Sequence, residues 1–130
     1  MTRFVNPDGV HKPVGYSHVA EVTSGKLLYL AGQVSVDPSG KIVGDGDVAA
    51  QTKQVFENIK ANLAAAGATF ADVIKVTYFL LDPAGIPTIR QIRDEYVDKQ
   101  SPPISTLLIV AGLARPEFLI EIEAIAALPA

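Results

Sequence analysis

Two glutamates, Glu121 and Glu123, stand inside the apolar run from Phe118 to Ala126. A stretch so apolar is normally buried, and a buried carboxylate is costly unless something pairs with it. In a strand, residues two apart share a face, so both acids emerge on one side, with Ile120, Ile122 and Ala124 on the other. Such a strand either lines a polar pocket or faces a partner subunit. The two carboxylates lie about 6.5–7 Å apart along the strand, which leaves room for a water but does not by itself make a shared-proton dyad.

The totals limit what this strand can belong to. A chain of 130 residues suits one domain spanning 1–130. Hydrophobic residues make up 48%, enough to close a core, which separates the chain from disordered sequences. Formal net charge is -3 and no basic block interrupts the sequence, so nucleic acid is not an expected partner. The absence of cysteine excludes disulfides, thiol nucleophiles and zinc–thiolate sites, and two histidines alone argue against a metal centre. The N-terminus lacks the apolar core of a signal peptide, and no apolar stretch approaches the ~20 residues of a membrane span. The expectation is a soluble, cytoplasmic protein without a membrane partner.

Residues 1 to 15, rich in Pro and Gly, read as an extended arm. Ser17 to Thr23 and Lys26 to Val34 read as strands, and Ser24-Gly25 between them fits a hairpin turn. From Val48 to Ala66 apolar residues recur at Val48, Val55, Ile59, Leu63 and Ala66, a helical period that leaves Gln51, Lys53, Glu57 and Lys60 to face water. Asp47 is the expected N-cap and Gly67 the residue just past the end. Val73 to Leu81 is β-branched and aromatic, hence a strand. Ile86 to Gln100 reads as a second helix, with Pro87 tolerated in its first turn. Ile104 to Leu113 and Phe118 to Leu128 complete the set as two apolar strands. The order β-β-α-β-α-β-β fits an α+β fold, a mixed sheet with both helices on one face. The other face then lacks a cover, which predicts packing against copies of the same chain.

Several segments carry a resemblance when taken together and in order: Gly15-Tyr-Ser-His18, Leu30-Ala-Gly-Gln-Val34, Gln51 with Asn58, Ala65-Ala-Gly67, Val73-Ile-Lys-Val-Thr77, Pro103-Ile-Ser-Thr106 and Ile120-Glu-Ile-Glu-Ala-Ile-Ala126. The chain resembles the RidA/YjgF reactive intermediate deaminase family over nearly its whole length. The resemblance implies a chorismate-mutase-like fold, a homotrimer with a central barrel, and clefts between subunits. It also implies cofactor-free hydrolysis of enamine or imine intermediates to keto compounds and ammonia. Older descriptions of the family are translation inhibitor and endoribonuclease.

The resemblance also assigns residues. Deaminase-branch members clamp the substrate carboxylate with an arginine in a Pro-x-Arg-Ser/Thr segment, a fork suited to bidentate contact. Alignment puts Ser105 at that place, and losing a charge-assisted clamp costs binding about 1.5–3 kcal/mol. The family's serine before Gly-Gln is replaced by Ala31, and a cleft asparagine aligns with Arg90. The cleft tyrosine is kept as Tyr16 and the cleft glutamate as Glu121.

Each candidate has a plainer reading beside it. Glu121 acts as a water-orienting base, or pairs structurally across an interface. Glu123 reads as structural. Tyr16 stacks on or hydrogen-bonds a planar ligand, or closes the sheet edge. Gly32 lets a backbone amide approach an oxyanion, or marks a bulge. His18 is a proton shuttle or, by preference, an ordinary strand-start histidine; His11 in the arm reads as solvated. Arg90 substitutes for the missing clamp, or pairs with Asp94 on a solvated helix face. Ser105 and Thr106 offer hydroxyls to a polar ligand, or cap the turn after Pro102-Pro103. Lys75 reads as a lysine whose stem packs while its ammonium reaches water. The functional expectation is a cofactor-free deaminase of a small imine or enamine. The alternative is a non-catalytic ligand-binding or holdase-like trimer, and ribonuclease activity ranks last.

Overall fold

The computed structural model describes residues 2–130. Six strands and two helices appear in the order β1 (Thr2–Val5), β2 (Val19–Val22), β3 (Lys26–Gln33), α1 (Val48–Ala65), β4 (Val73–Leu80), α2 (Ile86–Arg93), β5 (Ile104–Ile109) and β6 (Ile120–Leu128). The extended arm of residues 1 to 15 thus contains a strand, β1; Met1 lies outside the described residues.

The expected hairpin of β2 with β3 does not form. β2 pairs antiparallel with β1 in a separate ribbon, Thr2 opposite Val22 and Val5 opposite Val19. Gly25 does turn the chain, at φ +103°, but the turn is a corner between two sheets. β3 takes β6 as its partner instead, and the main sheet runs β3-β6-β4-β5. The β4–β5 pair is parallel, as a strand–helix–strand crossover through α2 permits; the other two pairs are antiparallel.

Helix α1 begins where Asp47 accepts a bond from the Ala50 amide at 3.1 Å. It ends in a Schellman arrangement: Gly67 at φ +79° lets its own amide reach Ala64 O and the Ala68 amide reach Leu63 O. Helix α2 is shorter than its apolar pattern suggests, stopping at Arg93; Tyr96 and Val97 still pack inward from the turns beyond it.

Both helices share one core. Val55, Phe56, Ile59 and Leu63 from α1 and Ile89 from α2 join Val76, Tyr78 and Leu80 of β4 and Ile120, Ile122, Ala124 and Ala126 of β6. The Phe56 ring stacks on Tyr96, centroids 5.0 Å apart. Gln51, expected to face water, is 0% exposed. Its amide nitrogen donates to Gly44 O and Glu117 O, and its oxygen accepts from the Leu119 amide. A buried amide with three backbone partners is a satisfied group, and this one ties α1 to the chain entering β6.

The opposite face carries no helix. Strand alternation places Leu27 and Tyr29 of β3, Lys75, Thr77 and Phe79 of β4, Thr106 and Leu108 of β5, and Glu121, Glu123 and Ile125 of β6 on it. Tyr29 is 74% exposed there.

Candidate functional site

Glu121 and Glu123 do share a face, and it is the bare one. Glu121 stands opposite Phe79 and Glu123 opposite Thr77. Between Leu30 and Gln33 the β3–β6 register shifts, so that Ala31 and Gly32 together face a single residue of β6. That is a bulge, which leaves its extra residue outside the ladder. The Glu121 carboxylate lies over it: a Cβ at Gly32 would collide with Glu121 Oε2 and come within 2.9 Å of its Cδ. Gly32 is therefore a close-approach glycine, and what approaches it is the acid. Glu121 is half-buried, and its side chain makes no hydrogen bond or ion pair with another described residue.

Further along the same face, a shallow hollow of about 250 Å³ is lined by Tyr29, Lys75, Thr77, Glu123 and Ile125. Lys75 is the only cation among the strand residues of this face. Thr106 sits opposite Thr77 on that side. Ser105 does not. It stands opposite Val76, a core residue, and so points toward the helix layer. Ser105 and Glu121 consequently line opposite surfaces of one chain.

Tyr16 belongs to the other end of the sheet. Ser17 bridges to Ile104, which is level with Lys75, four residues before Phe79 on β4. Four strand residues span about 13 Å. Tyr16 lines a groove of about 630 Å³ with Phe4, Asn6, Asp72, Lys99 and Leu128. Its turn is held from behind: Gly15 has φ +79°, and the Arg93 guanidinium packs where a side chain would stand, Nη2 at 2.8 Å from a Cβ built there.

Arg90 is exposed on α2, in the layer opposite the bare face, and does not form the expected ion pair with Asp94. Asp94 binds Arg93 at 3.1 Å and Lys99 at 3.7 Å instead. Arg93, with a side chain only 17% exposed, is the guanidinium packed against Gly15, a role the helical period did not single out. It also lies near Tyr78, whose phenol burial pushes well above its ordinary range while Arg93 pulls it down. His11 and His18 are not separate: both contact Tyr16. No group of three or more potential His, Cys, Asp or Glu metal ligands occurs among the described residues.

Comparison with known proteins places the chain in a family. The sequence profile of the Endoribonuclease L-PSP family matches residues 10–128. A RutC family protein from Pyrococcus horikoshii is 39% identical over 97% of this chain and 98% of its own. The 3-aminoacrylate deaminase RutC of Acinetobacter baylyi is 34% identical over 92% of this chain and 93% of its own. Among solved structures, YyfB, a Rid family protein from Yersinia pestis, superposes with a TM-score of 0.86 at 41% identity, covering 98% of each chain. RidA from an Antarctic Psychrobacter gives 0.73 at 30% identity, covering 97% of this chain and 99% of its own. A profile match over most of the length, relatives above 30% identity and close superposition on solved Rid structures together make this chain a member of the RidA/YjgF family.

Proposed function

We propose that the chain is a cofactor-free hydrolase that releases ammonia from a small reactive imine or enamine. The observation that carries the reading is the Glu121 carboxylate seated on the Gly32 bulge, half-buried and without a protein partner. A carboxylate so placed can orient a water and accept its proton, while an amide left free by the bulge offers a donor to the oxygen that forms.

One chain holds this acid and Tyr16 at opposite ends of its sheet, so a pocket using both needs a second copy. The exposed apolar side chains of the bare face support a homotrimer whose clefts lie between subunits. Glu121, the Gly32 amide, Ala31 and Thr106 then come from one protomer, and Tyr16 with His18 from the next. Ser105 and Arg90 fit this pocket poorly.

With Lys75 against Glu121 and Glu123, the face favours neutral or cationic imines over dianions. The test is ammonia release from imines made in situ, by amine oxidases for those without a carboxylate and by amino-acid oxidases for those with one. The expected result is acceleration over buffer, at least as large for imines lacking a carboxylate. Glu121→Gln lowers kcat/KM by about 10²–10⁴-fold and Glu123→Gln by less than about tenfold. No acceleration with any imine, alongside binding of keto compounds, would establish the non-catalytic ligand-binding reading instead.

A further inference from the structure

The arm between β1 and β2 folds three polar rings into one cluster. His11 Nε2 lies 2.7 Å from the Tyr16 hydroxyl, and His18 Nε2 lies 2.7 Å from the His11 carbonyl oxygen. The His18 amide donates to Asn6 Oδ1 at 2.7 Å, anchoring the cluster to the end of β1. The His18 ring stands edge-on to His11 and to Tyr16, with centroids 4.9 Å and 5.4 Å away. A carbonyl oxygen only accepts, so His18 Nε2 carries a hydrogen, and that bond fixes the His11 backbone. His11 is thereby held with one ring nitrogen on the Tyr16 phenol, which lines the groove of about 630 Å³.

We propose that His11 is a positioning residue that decides whether the Tyr16 hydroxyl offers its proton to a ligand. The inference rests on the deaminase reading and extends it to a residue outside the family resemblance. A neutral imidazole with a lone pair on Nε2 accepts the phenol hydrogen and occupies it. An imidazolium donates Nε2–H to the phenol oxygen, and the phenol's own hydrogen is free to point into the groove.

In that state the chemistry balances. Water adds to the imine carbon to give a carbinolamine, and Tyr16 protonates its nitrogen. The C–N bond breaks, an oxygen lone pair closes the carbonyl, and the carbinolamine hydroxyl proton passes to Glu121 of the facing copy and on to solvent. Ammonia leaves. The Tyr16 oxygen regains a proton from His11 Nε2–H, and solvent recharges His11, which is exposed.

The titratable groups facing His11 are Tyr16 and His18, and Lys12 follows it in the chain. Among the described residues no carboxylate oxygen lies within 4.0 Å of a nitrogen of either histidine ring. Turnover is therefore supported while His11 carries the second ring proton and is lost when it does not.

The experiment is a pH profile of ammonia release by the wild-type protein and by His11→Gln, between about pH 5 and 9. Glutamine keeps a donor toward Tyr16 and does not titrate. The wild type is expected to lose about tenfold in kcat per pH unit on the basic limb, and His11→Gln to flatten that limb with KM within about twofold. In parallel, Tyr16→Phe is expected to shift the His11 ring nitrogen resonances in ¹⁵N spectra. An active wild type whose profile survives His11→Gln, or His11 resonances unmoved by Tyr16→Phe, overturns the inference. A wild type inactive on every imine overturns the deaminase reading and takes this inference with it.

Discussion

The two faces of the main sheet are made by the same strands and behave as different materials. On β6, Ile120, Ile122, Ala124 and Ala126 are each 0–3% exposed beneath the helices. Their neighbours Glu121, Glu123 and Ile125 look the other way, with Lys75, Thr77 and Tyr29 beside them. The first set has its partners inside the chain. The second is too apolar to be an ordinary solvated surface and too charged to be a core. A face of that composition is suited to an enclosed, wet space shared between copies.

The largest effects separate the faces most sharply. Phe56→Ala removes a fully buried ring stacked on Tyr96 and is expected to cost about 3–5 kcal/mol of unfolding free energy in urea. Tyr29→Glu changes an exposed ring on the bare face and is expected to cost a protomer less than about 0.5 kcal/mol. Because it sets a charge beside Glu123, it is expected to reduce the sedimentation mass to that of one chain. Equal stability losses for the two variants, or an unchanged mass for Tyr29→Glu, would break the comparison.

An intermediate effect tests the acid's seat. Gly32→Ala drives a methyl into the Glu121 carboxylate, which must swing away. Since the end of a flexible side chain is what moves, stability is expected to fall by less than about 1 kcal/mol. Ammonia release is expected to fall about 10–100-fold, because a misplaced general base loses its alignment with water. Gly112→Ala, where nothing lies within 4 Å, is the control and should leave activity unchanged. A fully active Gly32→Ala protein would remove Glu121 from the chemistry.

These contrasts also mark what the sequence could say. The period-2 pattern of β6 and the 3.6 period of α1 are local, and each reports which side chains share a face. They located the acids on one side and bounded α1 within a residue of its observed end. Pairing is not local. Ser24-Gly25 is a turn in both readings, yet whether the strands around it join depends on β6, about a hundred residues later, inserting beside β3. The helical period leaves Gln51 to water, where an amide usually lies; only Gly44, Glu117 and Leu119 arriving around it make burial tolerable. Ser105 shows how one residue of register changes the surface, since its neighbour Thr106 is on the bare face and it is not. The His11 contact joins residues of an irregular arm, where no periodicity exists to be read.

The smallest effect asks whether the covering layer can be weakened without touching the bare face. Asp47 caps α1 by accepting from the Ala50 amide, and its side chain is exposed. Asp47→Ala removes that bond and leaves an orphan donor to water, so about 1 kcal/mol and a Tm drop of about 3–5 °C are expected. Asp47→Ser, which can still accept, should recover most of it. The helix meets the sheet on the side away from Glu121, so ammonia release measured well below Tm should match the wild type. A loss of turnover larger than the loss of folded protein would mean that the two faces are coupled through the strands, and that α1 helps to set the acid's position as well as to bury the core.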